Sequence, residues 1–403
     1  AGGPPEAGRG GRSWRTRNGL PAAPPALGPA TDRPRRRMRT GAFHVQEISG
    51  GRAAGRAARP IGWRRRRPHL PGFARMPRVL PDPTQPSATP DFLQHDRPPV
   101  PDIVVPRGVQ PFHLHAKPVR GRLVRLGPLA DALLTRRDDP PAVSRLLGQA
   151  LALSAGLAGA LKFRGSFSVQ AKGDGAVPML LADCTDSGAL RGYARVDAER
   201  FDAASGAEAG AGALLGGGYL AFSCDQGPDM ERYQGIVSIE GDTLAEMAGH
   251  YFRTSEQLRT HLHLACAPTP RGWRAAALIL EKVAGEGGLD PSLDAEEAEE
   301  AWRTALALAG TLTDAELLDD GLPSAALLRR LFHAEGLALD RPRALAYGCR
   351  CSRARLAGVL SGFGDDDLDH MAQEGGAITM TCEFCNLAFR FDRAEVRGSA
   401  ARG

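Results

Sequence analysis

Four cysteines near the C-terminal end are spaced to do chemistry together: Cys349-Arg350-Cys351 and, after thirty intervening residues, Cys382-Glu383-Phe384-Cys385. Zinc binds four thiolates in a tetrahedron, and structural sites commonly take them from two short chelating turns. A Cys-x-x-Cys on a tight turn aims two sulfurs at one point, and a Cys-x-Cys does so where the chain bends between them. The spacing predicts one metal ion held by Cys349, Cys351, Cys382 and Cys385. It leaves open whether that metal is only structural. Thiols clustered with no histidine among them are also a set that an oxidant converts into disulfides.

The remaining chemistry-bearing residues point to bland roles. Gly173-Asp174-Gly175 is a turn signal and not a phosphate loop, because no Gly-Lys-Ser/Thr follows it. Cys184, Cys224 and Cys266 are isolated and read as small buried hydrophobes. His261 and His263 alternate with Leu262 and Leu264, the pattern of a strand face. No Ser/His/Asp set or carboxylate pair stands out, so no enzyme is expected.

The elements that must position the cysteines form a small module over residues 345–395. Ser352 to Leu360 reads as a helix, and Asp365 is placed to cap a second helix running through Gln373. Ile378-Thr379-Met380-Thr381 leads into Cys382, and Leu387 to Phe391 leaves Cys385 as a second strand, which puts the Cys-x-x-Cys at a hairpin tip. About fifty residues cannot build much core, so the metal is expected to carry much of the stability.

Upstream, residues 290–344 read as a linker of short helices that depend on docking an apolar face. Asp294 to Leu308 is acidic early and apolar later, Thr313-Asp314-Ala315-Glu316 has capping-box spacing, and Pro323 opens a helix closed by Gly336. That last helix carries Leu327, Leu328, Leu331 and Phe332 on one stripe. A plain helical subdomain and a conditionally stable linker fit this pattern equally.

Residues 118–289 read as an α+β core. Val119 to Leu126 alternates like a strand, and Pro128 to Arg136 is a short helix with proline where no donor is needed. Ala142 to Leu161 is a longer helix whose small residues (Ala155, Gly156, Ala158, Gly159) suit a buried scaffold. Strands are expected at 165–170, 177–181, 190–196, 218–223 and 233–239, a helix at 243–252, and strands again at 257–265 and 275–281. The Gly/Ala-rich stretch from Ala203 to Gly217 reads as a loop.

Residues 1–117 read as an extension, Arg/Pro/Gly-rich and disordered as far as 95, with a Pro-rich lead-in over 96–117. A transit peptide, a dispensable tail and a translated upstream stretch all fit it. The net charge of +5 hides an asymmetry: residues 1–95 hold 18 Arg and 5 acidic residues, and the remainder holds 33 basic against 41 acidic. An acidic globular portion argues against nucleic-acid binding. No run of eighteen apolar residues is present, so no membrane partner is expected, and the cytosol is the default location.

The tail Cys349-Arg350-Cys351-Ser352 with Cys382-Glu383-Phe384-Cys385-Asn386 closely resembles the redox-regulated bacterial chaperones of the heat shock protein 33 family. So do Leu161-Lys162-Phe163, Val169-Gln170 with the 173–175 turn, and Arg191-Gly192-Tyr193-Ala194-Arg195. Tyr233-Gln234-Gly235, Glu240-Gly241-Asp242-Thr243-Leu244 and Ser255-Glu256-Gln257-Leu258 extend the match; Glu316-Leu317-Leu318 and Arg330-Leu331-Phe332-His333 fit the linker. Nothing in the family accounts for residues 1–95. The resemblance implies an ATP-independent holdase for unfolded client proteins, inactive with zinc on the four cysteines. Oxidation to disulfides Cys349–Cys351 and Cys382–Cys385 would activate it, with dimerisation. A structural zinc contributes on the order of 10–16 kcal/mol in small finger peptides, against about 5–15 kcal/mol for a whole domain. The module would therefore unfold on metal loss, and the linker, losing its packing partner, would expose Leu327, Leu331 and Phe332 to clients. A zinc-ribbon nucleic-acid module, a thiol–disulfide oxidoreductase using Cys382 and Cys385, and a structural zinc domain on an unidentified enzyme are the alternatives.

Overall fold

The computed structural model describes residues 100–160, 165–201, 209–226, 233–283, 294–372, 376–393 and 396, all within one compact unit, Gly41–Gly403. The extension over 1–95, the Leu161-Lys162-Phe163 string and the start of the linker at 290–293 lie outside them. The fold is α+β, built on one large sheet. Its strands are β1 (Val104–Leu114), β2 (Val119–Arg125), β3 (Ser166–Gly173), β4 (Met179–Thr185), β5 (Ala189–Arg195), β6 (Gly218–Asp225), β7 (Tyr233–Ser238), β8 (Thr260–Thr269), β9 (Gly272–Lys282), β10 (Leu337–Leu339) and β11 (Arg343–Tyr347). Their order is β7-β6-β3-β4-β5-β11-β1-β2-β9-β8, with β10 paired to β1. Every pairing is antiparallel except β11 on β5.

The core's first strand corrects the sequence reading. Val104–Leu114 lies inside the stretch assigned to the Pro-rich lead-in, yet β1 pairs with β2, β10 and β11. Pro106 sits where the ladder tolerates a missing donor: pairing with β11 is irregular between Val105 and Val109, the interval that contains it. Two further strands, β10 and β11, fall within or beside the segment assigned to the linker and complete the same sheet.

One face of the sheet is covered by α1 (Pro128–Leu134) and α2 (Pro141–Ala158). Fifteen of the eighteen residues of α2 are buried, the all-round burial expected of a scaffold helix. Its glycines make this approach possible: a Cβ on Gly156 would stand 2.5 Å from Ile279 Cδ1. The loop expected over 203–217 contains a short helix, α3 (Ala211–Leu215). The expected helix at 243–252 is α4 (Leu244–Thr254), capped by a reciprocal Thr243–Glu246 box. Pro178 removes a ladder donor, so the strand expected at 177–181 begins only at Met179.

The other face is covered over β1, β2, β8 and β9 by α5 (Ala295–Ala309), α6 (Asp314–Leu318) and α7 (Ser324–Phe332). Asp294 and Thr313 each cap their helix in a capping box. The apolar stripe of α7 is docked, but on the core. Leu327, Leu328, Leu331 and Phe332 are buried with Phe112, Leu123, Leu278 and Trp302. The sequence reading made the cysteine module the linker's packing partner. The structure replaces it with the central sheet, where Phe112 and Leu114 of β1, Val119 and Leu123 of β2, and Leu278 and Leu280 of β9 offer an apolar patch on that side.

The cysteine module has its own small core, of Ala357, Leu360, Leu368, Ile378, Met380, Phe391 and Val396. It consists of α8 (Arg353–Leu360), α9 (Asp365–Met371) and the hairpin β12 (Ala377–Thr381) with β13 (Ala388–Asp392). Ser352 caps α8 by accepting from Arg355 N–H. Asp365 does not cap α9: Gly364 holds that position, and Asp365 falls in the first turn, where an acid suits the helix dipole.

Candidate metal centre

The two chelating turns arise differently. Cys382 ends the β12 side of the hairpin; its N–H donates to Leu387 O at 2.9 Å, and Asn386 N–H returns to Cys382 O at 2.8 Å. Asn386 is left-handed (φ 55°), as the tight closure requires, and its side chain donates to Arg136 O at 2.9 Å. The expected hairpin-tip position is found. Cys349 instead follows β11, and Gly348 lies on the backbone of β5, donating to Leu190 O at 2.7 Å. A Cβ at Gly348 would stand 2.5 Å from Leu190 N, so only glycine fits there.

The fold brings the four sulfurs together. All lie within 4.8 Å of one another, with Cys349–Cys351 at 3.4 Å, Cys349–Cys382 at 3.6 Å and Cys351–Cys385 at 3.4 Å. Each cysteine is buried. Metal–sulfur bonds of about 2.3 Å in a tetrahedron place sulfurs about 3.8 Å apart, so the donor set fits a single tetrahedral ion. Crowding splits the thiol acidities. Cys349 is held toward thiolate by hydrogen bonding with Cys351, and Cys382 by hydrogen bonding with Cys349, while Cys351 and Cys385 are held as thiols by their bonds to Cys349. Among the described residues no other His, Cys, Asp and Glu group has ligand spacing.

Around the sulfurs the turns reach the core sheet. Arg350, between the first two cysteines, pairs with Asp183 on β4, which also accepts from Arg191 at 3.3 Å. Burial lowers the Arg350 pKa, as does neighbouring Arg191, against the pull of Asp183. Between the second pair, the Phe384 ring meets Tyr193 edge-on at 5.0 Å and lies 4.1 Å under the Arg191 guanidinium. The Tyr193 hydroxyl donates to the Glu383 carboxylate, and burial together with that acceptor pushes it up to about 12. Arg137 donates to Glu383 O at 3.3 Å, and Arg136 stands 5.8 Å over the buried Tyr347 ring. Sequence reading missed Asp183, Arg191 and Tyr193 as parts of this site. Arg191 and Tyr193 stood in an expected strand and in a string that carries the family resemblance, while Asp183 lay outside any expected strand; nothing local said what their face meets.

The other candidates lie elsewhere. Cys184, Cys224 and Cys266 are buried in the main core as expected, and burial pushes Cys184 and Cys266 up to about 12. His261 and His263 are on β8; His263 Nε2 lies 2.6 Å from Asp314 Oδ1 on α6. Among the described residues no helix is long and apolar enough to cross a membrane.

This is the architecture of a sheet-based core with a small C-terminal module, where four cysteines packed against the core are grouped as metal ligands are. The model of the Hsp33 protein family matches residues 108–392. The 33 kDa chaperonin of Caulobacter vibrioides is 41% identical over 290 residues, covering 70% of this chain and 94% of that protein. That of Ectopseudomonas mendocina is 38% identical over 279 residues, covering 69% and 90%. The crystal structure of the 33 kDa chaperonin from Thermotoga maritima superposes with a TM-score of 0.59 at 19% identity, over 73% of this chain and 98% of that one, and so shares the fold. The chain belongs to the Hsp33 family.

Proposed function

We propose that this protein is an ATP-independent holdase chaperone, held inactive by one zinc ion on Cys349, Cys351, Cys382 and Cys385 and activated by their oxidation. The observation that carries the reading is the pairing of two features: four buried sulfurs beside a module with a small core, and a chain of short helices laid over one face of the central sheet. When bound, zinc would supply cross-links that the module's few apolar residues do not.

Oxidation by hydrogen peroxide takes two electrons from each thiolate pair, and the peroxide leaves as two waters with two protons drawn from solvent. The family resemblance implies the pairs Cys349–Cys351 and Cys382–Cys385. The sulfurs of the first already lie 3.4 Å apart. A disulfide needs sulfurs about 2.05 Å apart with a fixed dihedral, so the turns must move and the four-thiolate set is lost. The linker does not rest on the module, so release must pass through the strands between them. Chain from Phe332 to Cys349 runs as β10 and β11, both paired to β1, and Tyr347 pairs with Leu190. Loosening Gly348 and Cys349 frees the end of β11, then β10, then α7. Leu327, Leu331 and Phe332 with their sheet face are then the surface offered to unfolded proteins.

We further infer a non-enzymatic, cytosolic protein that pairs with a second copy when oxidised and has no nucleic-acid or membrane partner. The acidic balance outside residues 1–95 supports the absence of a nucleic-acid partner. The hairpin-tip placement and burial of Cys382 and Cys385 speak against a thiol–disulfide oxidoreductase. The test follows zinc release and light scattering of a heat-denatured client in parallel, before and after peroxide at mildly elevated temperature. Zinc release with suppression of scattering only after oxidation, reversed by a dithiol, is the expected result. Retained zinc, or release with no gain of client binding, overturns the proposal.

A further inference from the structure

We propose that Asp183, Arg191 and Tyr193 form a seat on the central sheet on which the ligand geometry of the metal module is read. Every residue enclosed by the two chelating turns ends on it. Arg350 pairs with Asp183, Glu383 accepts from the Tyr193 hydroxyl, and Phe384 is held between Arg191 and Tyr193. The three seat residues alternate with core residues on β4 and β5. Ala182 and Cys184 flank Asp183 in sequence, and Leu190 and Ala194 bracket the other two; all four point into the main core. The seat is therefore rigid, and the turns are the part that moves.

The geometry makes the coupling direct. Arg350, Glu383 and Phe384 have no freedom independent of the cysteines that flank them. A turn that rotates its sulfurs from a metal tetrahedron into a disulfide must also rotate these side chains. An Arg–carboxylate pair with a buried carboxylate and a cation–π contact each need a set approach, so they tolerate little of that motion. The seat thus stabilises the metal-ready turns and is vacated with them. Asp183, Arg191 and Tyr193 are positioning residues: none touches a sulfur's partner in the reaction, and each acts through a turn.

This inference rests on the redox-switch reading for its trigger, but its test needs no client. Zinc release from the reduced, zinc-loaded full chain is followed at fixed peroxide with a metallochromic indicator. Hydrogen exchange of the β5 amides is measured on the same samples. Tyr193→Phe keeps the ring and removes only the bond to Glu383; Asp183→Asn and Arg350→Gln are made singly and together. The variants are expected to bind one equivalent of zinc and to release it about 3- to 30-fold faster than the parent, the range of one or two directional polar contacts. Asp183→Asn and Arg350→Gln together are expected to be no faster than the faster single variant, because Asp183→Asn already removes the ion pair that Arg350→Gln would take away. β5 exchange is expected to rise in the zinc-stripped parent and to be raised already in the zinc-loaded variants. Release within twofold of the parent, independent addition of the two single effects, or β5 exchange indifferent to zinc overturns the seat. An oxidised parent that never suppresses client aggregation overturns the chaperone reading instead. A variant that binds no zinc at all is replaced by Arg191→Met, on which the same two readouts decide.

Discussion

Replacing Phe332 with alanine separates the linker from the redox chemistry that is proposed to release it. The Phe332 ring is fully buried and stacks on Phe112 with centroids 5.5 Å apart and planes 26° apart. It joins α7 to β1, within a cluster that shares no residue with the one under α2. Removing a buried phenylalanine ring costs about 3–5 kcal/mol, or roughly two to three and a half powers of ten in an equilibrium constant. Because the α2 face is untouched, that cost falls on the opening of α7 from the sheet. Phe332→Ala, fully reduced and zinc-loaded, is therefore expected to suppress client aggregation without oxidant. Its Ser324–Phe332 amides are expected to exchange faster while the β3–β6 amides stay protected. Phe363→Ala, at an exposed position of the cysteine module, serves as the control and is expected to remain inert until oxidised. The reasoning is refuted if Phe332→Ala opens α7 and still binds no client when reduced, or if α7 stays as protected as in the parent.

Two other outcomes follow from the electrostatics. Glu299 on α5 accepts from Arg259 and Lys282, both at 2.6 Å, and these hydrogen bonds hold its carboxyl down at about 2, below the usual 4.5. Its folded value is the depressed one, so this tie is complete above about 4.5 and is lost as pH falls through about 2. The fluorescence of Trp302, three residues along α5 and buried, is expected to report an acid transition that Glu299→Gln lacks, with Trp302→Phe as blank; identical acid profiles would exclude the tie. Burial holds Cys184 and Cys266 well above the usual thiol range and raises Cys224 as well. Mass spectrometry after alkylation of the zinc-stripped native chain is expected to find label on Cys349, Cys351, Cys382 and Cys385 only. Label on any of the other three would show that the core opens with the module.

Chemistry encoded by short spacing was legible in the chain. Cys349-x-Cys351 and Cys382-x-x-Cys385 each converge within a single turn, so their spacing foretold sulfurs aimed at common points. Capping by Thr313 and the burial of α2 were equally local, since a capping box spans four residues and an apolar helix reports its own environment. Where a local rule admitted two outcomes, reading failed by small steps. Asp365 was one residue off the cap, and the prolines of Val104–Leu114 hid a strand.

What covers each face was not in the sequence. The stripe Leu327, Leu331, Phe332 announced that α7 must dock, but an apolar stripe carries no address. Only the fold placed it on Phe112 and Leu278 and not on the cysteine module. Asp183, Arg191 and Tyr193 lie more than 150 residues before the turns they hold, on β4 and β5. Spacing along a chain determines which atoms a turn brings together, because a turn is short and stiff. Tertiary structure alone decides which distant surface that turn meets, because that depends on how the whole sheet closes around β11 and β5.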